Sequence, residues 1–332
     1  MSDGKKVLVT GGCGYIGSHV TRQLSEQGYE VVVYDNLSTG FEDSLLHNET
    51  LVKADLNDMK ALDETFANNS FHAVLHFAAS IVVPESVENP ISYYRNNTVN
   101  SINLFETCIK HGVKNLVFSS TAAVYGENTL DMVTEQSPTA PANPYAWSKL
   151  MDEQILADVA NANEGFRFVT LRYFNVAGAD PKGRIGQRFP NATHLIKVAC
   201  ETAIGLRESI AVFGDDYPTK DGTCVRDYIH IEDLADAHIK ALNYLENEGT
   251  CLTLNCGYGQ GFSVNDVLDT VDKVNGSSIK RIQAARRPGD VSAIVADSSK
   301  LKKTLGWKPQ YDDINKIVSS AYEWEKILKN RR

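Results

Sequence analysis

The chain has 332 residues, of which 42% are hydrophobic and 23% charged, so it can bury a large core and is long enough for two domains. Its formal net charge of −9 excludes a general basic surface of the kind that attracts nucleic acid or anionic lipid. No apolar run approaches the ~20 residues of a transmembrane helix, and no secretory leader pattern opens the chain. We therefore expect a cytoplasmic protein that binds neither nucleic acid nor membrane.

The first predicted strand, Val7 to Thr10, runs directly into a glycine-rich turn. The turn reads Gly11-Gly12-Cys13-Gly14-Tyr15-Ile16-Gly17 and leads into an amphipathic segment of helical length. Gly11 permits a sharp turn, Gly14 lacks the Cβ that would block a pyrophosphate, and Gly17 lets the helix lie close to the strand. This order of strand, turn and helix predicts a dinucleotide-binding site at the helix N-terminus.

The second predicted strand, Tyr29 to Tyr34, ends in a carboxylate. Asp35 can accept hydrogen bonds from the ribose hydroxyls of adenosine and would repel a 2′-phosphate. The cofactor is therefore predicted to be NAD rather than NADP. Asp55, at the end of the third strand, is a candidate partner for the adenine amino group.

Apolar, β-rich runs recur along the first half of the chain, mostly separated by segments of helical length. They cover Val7 to Thr10, Val31 to Tyr34, Leu51 to Ala54, Ala73 to Phe77, Leu116 to Ser119 and Phe168 to Tyr173. Near-continuous apolar strands that alternate with helices predict an α/β fold with a Rossmann-type, doubly wound parallel sheet. Ligands should then bind at the carboxyl ends of the strands.

The alternation of apolar strands and helix-length segments ends after about residue 176. The stretch Gly178 to Asn191 is rich in loop-forming residues, including Gly183, Gly186 and Pro190, and predicts the crossing into a smaller C-terminal α/β domain. We assign residues 1–176 to an NAD-binding domain and 177–332 mainly to a substrate domain. Residues 226–247 form a strand followed by a helix and are expected to return to the main sheet.

Two features that could suggest a metal are better explained by packing. His72 and His76 are four residues apart, as ligands on a helix can be, but they lie in an apolar run typical of a buried strand. The six cysteines form no Cys-x-x-Cys pair and are expected to be reduced packing residues. We expect no metal site.

A tyrosine and a lysine share one predicted helical face. Tyr145 and Lys149 are four residues apart in a helix-length segment that begins after Pro144, so both can project into one site. A phenol with a pKa near 10 is a poor base at neutral pH, and lowering that pKa by ~3 units requires ~4 kcal/mol of stabilisation of the phenolate. We expect Lys149 and the positive charge of an oxidised nicotinamide to supply it. Taken alone, such a pair could also merely decorate a helix surface.

Three hydroxyl residues, Ser119, Ser120 and Thr121, end the fifth predicted strand. A reacting alcohol needs such a group to hold it and to pass on its proton. We assign this role to Thr121, with Ser120 as the nearest competitor. The structural alternative for Thr121 is a hydroxyl that caps the following turn.

Several motifs follow one another as they do in the extended short-chain dehydrogenase/reductase family. They are the Gly11 to Gly17 turn, His76-Phe77-Ala78-Ala79, Tyr93-Tyr94-Arg95-Asn96-Asn97, Tyr145 with Lys149, Arg172-Tyr173-Phe174-Asn175, Arg226-Asp227-Tyr228-Ile229-His230 and Arg287-Pro288-Gly289-Asp290. The resemblance runs from Val7 to about Trp307, and within the family it is closest to the 4-epimerases of UDP-hexoses.

The resemblance implies a role for each matched residue. Tyr145 is similar to the family's base, Lys149 to its partner on the cofactor ribose, and Thr121 to the hydroxyl that contacts the sugar. The implied NAD site comprises Gly11, Gly14, Tyr15, Ile16, Gly17, Asp35, Asn36, Asp55, Leu56, Phe77, Ala78, Ala79, Asn96, Ser119, Tyr145, Lys149 and Tyr173. The implied UDP-sugar site comprises Thr121, Tyr145, Asn175, His194, Leu195, Phe213, Arg226, Arg287 and Asp290.

Three positions depart from the family pattern. Ile81 stands where many epimerases carry a lysine near the nicotinamide and sugar. Ile294 stands at the position whose bulk decides whether N-acetylated sugars enter, and its intermediate size leaves that specificity open. The pair His194-Leu195 replaces a common Asn-Leu pair near the ribose and phosphate.

The activity that the resemblance implies is the interconversion of UDP-glucose and UDP-galactose by transient oxidation at sugar C4, in a homodimer that keeps its NAD. Alternatives are a 4-epimerase of UDP-GlcNAc or UDP-glucuronate, a 4,6-dehydratase, and a non-enzymatic NAD-sensing scaffold. Dehydratases carry Asp-Glu after the threonine, whereas Ala122-Ala123 follow Thr121 here. A scaffold would need neither Tyr145 nor Lys149.

Overall fold

A computed structural model of the chain describes residues 4–127, 132–189, 192–287 and 290–331. Pro190, Pro288 and Gly289, which belong to predicted features, lie outside these ranges. The main sheet of the described residues has seven parallel strands, in the spatial order β3-β2-β1-β4-β5-β6-β10. The strands are β1 (Lys6–Thr10), β2 (Glu30–Asp35), β3 (Thr50–Lys53), β4 (Ala73–His76), β5 (Asn115–Thr121), β6 (Arg167–Tyr173) and β10 (Leu252–Cys256).

The predicted doubly wound parallel sheet is confirmed. Each of the six predicted runs forms a strand within one or two residues of its predicted ends. The strand order reverses at β1, which pairs with β2 on one side and β4 on the other, so that Thr10 lies opposite both Tyr34 and His76. A ligand crevice is expected outside the carboxyl ends of the strands at such a reversal.

Helices cover both faces of this sheet. They are α1 (Tyr15–Glu26), α2 (Met59–Ala67), α3 (Val83–Glu88), α4 (Pro90–Tyr93), α5 (Asn100–Lys110), α6 (Pro144–Ala162), α7 (Leu195–Ala203), α8 (Ile231–Glu246), α9 (Val264–Asn275), α10 (Ser299–Leu305) and α11 (Ile314–Arg331). A one-turn π-helix, Tyr94–Val99, joins α4 to α5. Alternate β1 side chains enter different cores: Val7 and Val9 pack with α1 and α8, whereas Leu8 packs with α2, α5 and α6.

The second half of the chain adds smaller sheets. In one, β9 (Val225–His230) pairs with β7 (Asn175–Ala177), β11 (Gly261–Ser263) and β13 (Ala293–Ile294). In the other, β8 (Ile210–Phe213) pairs with β12 (Arg281–Ala284). The prediction that residues 226–247 return to the main sheet therefore needs a correction. Helix α8 packs on the main sheet and α1, but β9 is engaged by its small-sheet neighbours, and β10 is the strand that extends the main sheet.

Buried polar contacts join the two halves of the chain. The Tyr15 hydroxyl donates to the Gly178 carbonyl at 2.7 Å, and Glu232 pairs with both His19 and Arg22 of α1. The domain boundary at residue 176 stays a prediction. No helix in the described part of the chain is long and apolar enough to cross a membrane, and no group of residues suited to a metal occurs within the same ranges. His76 instead hydrogen-bonds Thr10 and Ser101 inside the core.

Candidate active site

The glycine turn has the close backbone contacts that the sequence predicts. Gly11 has a φ of +70°, and a Cβ there would lie 2.7 Å from the backbone nitrogen of Ala78. A Cβ at Gly17 would overlap the Gly11 carbonyl, so the helix can approach the strand only with glycine at this position. These two glycines fix the fold of the turn.

Gly14 differs from Gly11 and Gly17, because the position that its Cβ would occupy is largely open. A Cβ there would meet only the Gly11 oxygen, at 3.2 Å. Gly14 is the N-cap of α1 and supplies no side-chain cap, and the first turn of α1 carries no acidic residue among its described side chains. The first amides of α1 therefore face the opening and can bind an anion. A dinucleotide pyrophosphate fits this cradle.

Asp35 and its neighbours lie at the carboxyl ends of β2 and β3, where the sequence predicts adenosine to bind. The buried Asp35 carboxylate accepts hydrogen bonds from the backbone nitrogens of Cys13 (2.9 Å) and Leu37 (2.8 Å). Burial raises the pKa of Asp35, and those two hydrogen bonds act against the rise. Its oxygens retain lone pairs that two ribose hydroxyls could use. Asn36 donates to Asp55 at 2.6 Å, so the carboxyl ends of β2 and β3 present one polar edge with Leu56 beside it.

The segment after β4 forms the opposite wall. Phe77, Ala78 and Ala79 follow the strand, and the Asn96 side chain donates to the Ser80 hydroxyl at 3.0 Å. Asn97 was not predicted as a site residue, yet it is the buried member of the pair. Its amide nitrogen donates to the Ser80 carbonyl and to the Ser148 hydroxyl, both at 3.0 Å, and so ties this wall to α6. The Asn-Asn dipeptide was visible in the sequence, but nothing there distinguishes its buried residue.

Thr121, at the carboxyl end of β5, lies beside Tyr145 of α6, and Lys149 follows Tyr145 by one helical turn. Asn143 caps α6 by accepting a hydrogen bond from Ala146 at 2.9 Å, which places Tyr145 in the first turn. Both Tyr145 and Lys149 are buried. Thr121 hydrogen-bonds the Tyr145 phenol and also accepts a hydrogen bond from the Ala123 nitrogen, so it holds the phenol and caps the turn.

Ser120, the competing hydroxyl, faces away from this site. It is fully buried and donates to Glu153 at 2.5 Å. Alternate residues of a strand point to opposite faces, so only one of two adjacent hydroxyls can reach the phenol. Ser119, the third hydroxyl residue of this strand end, donates a hydrogen bond to the Tyr173 hydroxyl at 3.0 Å.

The electrostatics of the pair differ from the sequence expectation. Burial raises the pKa of the Tyr145 phenol, the nearby Tyr173 adds to the rise, and the Thr121 hydrogen bond opposes it. Burial also lowers the pKa of the Lys149 ammonium, so it disfavours the charged form of both groups. The Lys149 Nζ lies 4.6 Å from the centre of the Phe118 ring. An ammonium has three donors, so Lys149 can also donate a hydrogen bond to a cofactor ribose.

The residues implied for UDP binding form two local pairs. Arg226 on β9 lies 3.6 Å from Asp290 through its guanidinium, and Arg287 stacks on Phe213 with its central carbon 3.8 Å from the ring centre. Asn175 begins β7 and hydrogen-bonds Tyr228. Each arginine carries a guanidinium that can form charge-assisted hydrogen bonds to a diphosphate.

Three other predicted positions are placed as follows. Ile294 on β13 lies opposite Arg226 in the register and belongs to the same hydrophobic cluster as Ala122, the residue after Thr121. His194 precedes α7, which begins at Leu195, and its Nδ1 lies 3.0 Å from the Gln187 side-chain nitrogen. Ile81 is exposed.

A Rossmann-type sheet, an anion-binding glycine turn and a Tyr-x-x-x-Lys helix together define a dinucleotide-binding protein of the short-chain dehydrogenase/reductase class. The model of the NAD dependent epimerase/dehydratase family matches residues 7–257. The chain belongs to this family.

Relatives extend the similarity over almost the whole chain. It is 51% identical to a UDP-glucose 4-epimerase of Azospirillum brasilense, with 98% of this chain and 93% of the relative covered. A crystal structure of UDP-glucose 4-epimerase from Brucella ovis with NAD superposes with a TM-score of 0.93 at 42% identity, covering 96% and 98% of the two chains. The crystal structure of UDP-glucose-4-epimerase from Stenotrophomonas maltophila, with bound NAD and formylated UDP-arabinopyranose, superposes with a TM-score of 0.95 at 37% identity. The superposition covers 99% of this chain and 100% of that structure.

Proposed function

We propose that the chain is an isomerase, an NAD-dependent 4-epimerase that interconverts UDP-glucose and UDP-galactose. The observation that carries this proposal is the buried Tyr145 phenol, which is hydrogen-bonded to Thr121 and stands one helical turn from the buried Lys149. The similarity to UDP-glucose 4-epimerases over nearly the full length supports the same substrate class.

The protein's part in the reaction is to hold the substrate and move one proton. As the phenolate, Tyr145 takes the proton of the C4 hydroxyl and becomes the neutral phenol, and Thr121 keeps that hydroxyl within hydrogen-bond reach. Bound NAD would supply the hydride acceptor and donor for C4, and the positive charge of its oxidised ring would favour the phenolate form of Tyr145. The residues proposed to hold it are the Gly14 cradle, Asp35 and Lys149.

Epimerisation also requires the hexose to turn between the two hydride transfers. Arg226, Arg287 and Phe213 would anchor UDP through charge and stacking, while the 4-keto hexose, held by few groups, presents its other face. Tyr145 then returns the proton. No net proton or electron is consumed, so no exchange with solvent is needed.

A dehydratase is disfavoured by the residues that follow Thr121. Removal of water from the sugar requires an acid and a base near C5 and C6, but this turn presents the methyl groups of Ala122 and Ala123. The size of Ile294 leaves acceptance of N-acetylated sugars to an assay with UDP-GlcNAc.

The test is to incubate the purified protein with UDP-galactose and no added coenzyme, and to follow the sugar by NMR. Accumulation of UDP-glucose is the expected result. A 4-keto-6-deoxy product would instead indicate a dehydratase, and an absence of turnover by protein that contains NAD would indicate a sensor.

We also propose that the protein is a homodimer. Four large apolar side chains are exposed here: Val99, just before α5, Ile102 on α5, and Trp147 and Met151 on α6. Their spacing of three or four residues places each pair on one helical face, and α5 and α6 are in contact. Exposed apolar side chains on neighbouring helices are typical of an interface. A cytoplasmic location is supported by the six free thiols.

A further inference from the structure

Helix α6 carries an acidic residue on the face that presents Tyr145 and Lys149. Asp152 follows Tyr145 by seven residues and Lys149 by three, so all three side chains lie along one stripe of the helix. Asp152 is completely inaccessible to solvent. The catalytic scheme above assigns no role to this carboxylate.

The carboxylate of Asp152 has few hydrogen bonds. Its Oδ2 lies 3.3 Å from the Ser101 hydroxyl, and Thr98 supplies a second contact. Its Oδ1 is buried and has no hydrogen-bond partner among the described residues. The Ser101 hydrogen is also drawn to the Asn97 carbonyl, at 2.5 Å. A carboxylate in such surroundings remains ionised only if a positive charge lies nearby.

The other charged groups around this site are already neutral or paired. Glu153 is bound by Arg172 through both carboxylate oxygens and accepts the Ser120 hydrogen bond. His76 lies between the hydroxyls of Thr10 (2.6 Å) and Ser101 (2.9 Å), and burial keeps its pKa well below the ordinary value. Tyr145 cannot supply a positive charge, because a phenol is neutral or negative. Lys149 is therefore the cation available to Asp152.

We propose that Asp152 is a positioning residue for Lys149, and that its carboxylate is the counter-charge that keeps the buried ammonium protonated one helical turn from Tyr145. The hydrogen-bonded chain Thr10–His76–Ser101 ends beside this carboxylate, with the Ser101 hydroxyl 3.3 Å from Asp152 Oδ2. The kinetic consequence of the inference rests on the proposed function, but the charge pairing itself does not.

Burial disfavours the charged form of both Lys149 and Asp152, and the charge of each group opposes the pKa shift of the other. Burial lowers the pKa of Lys149, and the charges of Asp152 and Glu153 act in the opposite direction. Burial raises the pKa of Asp152, and Lys149 is foremost among the groups that lower it again. Loss of the Asp152 charge should therefore let Lys149 lose its proton at lower pH.

The direct test is an NMR titration of Lys149 in the NAD-containing enzyme, prepared with lysine labelled with carbon-13 at Cε. The signal is assigned by its absence in Lys149→Arg. In Asp152→Asn, which keeps the shape of the side chain, the Lys149 midpoint should fall by about one pH unit or more. Asp152→Glu should restore it. Asp158→Asn, the same change at an exposed site on α6, should leave it unchanged. An unchanged midpoint in Asp152→Asn overturns the proposal.

A stability comparison decides the question if Asp152→Asn folds poorly. The cause of that defect would be a buried ammonium without its counter-charge. The double variant Asp152→Asn/Lys149→Met should therefore melt at nearly the wild-type temperature. A double variant as unstable as Asp152→Asn would show that Asp152 acts only through packing.

In the epimerase assay, the alkaline limit of kcat should move to lower pH in Asp152→Asn. A wild type without turnover would refute the proposed function and leave the titration result intact.

Discussion

Replacing Gly14 by alanine should separate cofactor binding from folding. The Gly14 backbone, with φ −75° and ψ 175°, is a conformation that alanine adopts without strain. The added Cβ would meet only the Gly11 oxygen, at 3.2 Å, and otherwise extend into the opening before α1. A small steric cost and the entropy lost from the unfolded chain oppose each other, so the free energy of unfolding should change by no more than about 1 kcal/mol.

NAD binding should respond far more strongly. The Cβ would keep a phosphate away from the first amides of α1, and two charge-assisted hydrogen bonds of ~1.5–3 kcal/mol each would weaken. A loss of ~3 kcal/mol corresponds to a Kd that is higher by about 100-fold. The NAD content of purified protein and the Kd from isothermal titration of NAD-depleted protein measure the effect.

Gly17→Ala is the matched comparison. Its Cβ would overlap the Gly11 carbonyl and lie 2.9 Å from Gly12 Cα, so the backbone must move and the melting temperature should fall. If Gly14→Ala kept wild-type NAD affinity, the cradle would be misassigned. If Gly14→Ala melted as early as Gly17→Ala, the distinction drawn between the two positions would be wrong.

Three further predictions concern catalysis, acid stability and assembly. Tyr145→Phe should keep its NAD and lose most turnover because no base remains; near-native rates would remove Tyr145 from that role. Burial alone would raise the pKa of Glu232, but His19 and Arg22 lower it to about 2. The ionised carboxylate should therefore stabilise the fold fully above pH ~4.5. As the pH falls towards 2, the free energy of unfolding should decrease by up to ~3 kcal/mol. Urea unfolding at about pH 5 and pH 3 should differ less in Glu232→Gln than in the wild type; an equal difference would contradict the pairing. Ile102→Lys should be monomeric by light scattering. Ile282→Lys, at a similarly exposed apolar site on β12, should remain dimeric. A dimeric Ile102→Lys would exclude the exposed α5 and α6 side chains as the dimer interface.

The main sheet could be predicted because its strands are buried on both faces and carry their own signal. Runs such as Val7 to Thr10 and Phe168 to Tyr173 are almost entirely apolar, and the turns between them contain the glycines and carboxylates that a dinucleotide needs. The small sheets gave no comparable signal. Their strands have two to six residues, and the partner of β9 is decided by tertiary contacts with β7, β11 and β13, which periodicity does not encode.

The candidate site shows the same division. The spacing of Tyr145 and Lys149 and the position of Thr121 could be inferred from helix and strand geometry. The exclusion of Ser120 could not, because it depends on Glu153 in another element. The electrostatics were also beyond the sequence, since burial opposes ionisation of both Tyr145 and Lys149 and the depth of burial is a property of the folded chain.

The central claim is that the hydride removed from C4 returns to the same carbon on its other face. It is tested most directly with UDP-galactose that carries deuterium at C4, incubated with the enzyme in ordinary water and followed by NMR and mass spectrometry. The account predicts UDP-glucose with the deuterium still at C4, because the hydride never reaches solvent. Loss of the label to water during turnover would contradict it.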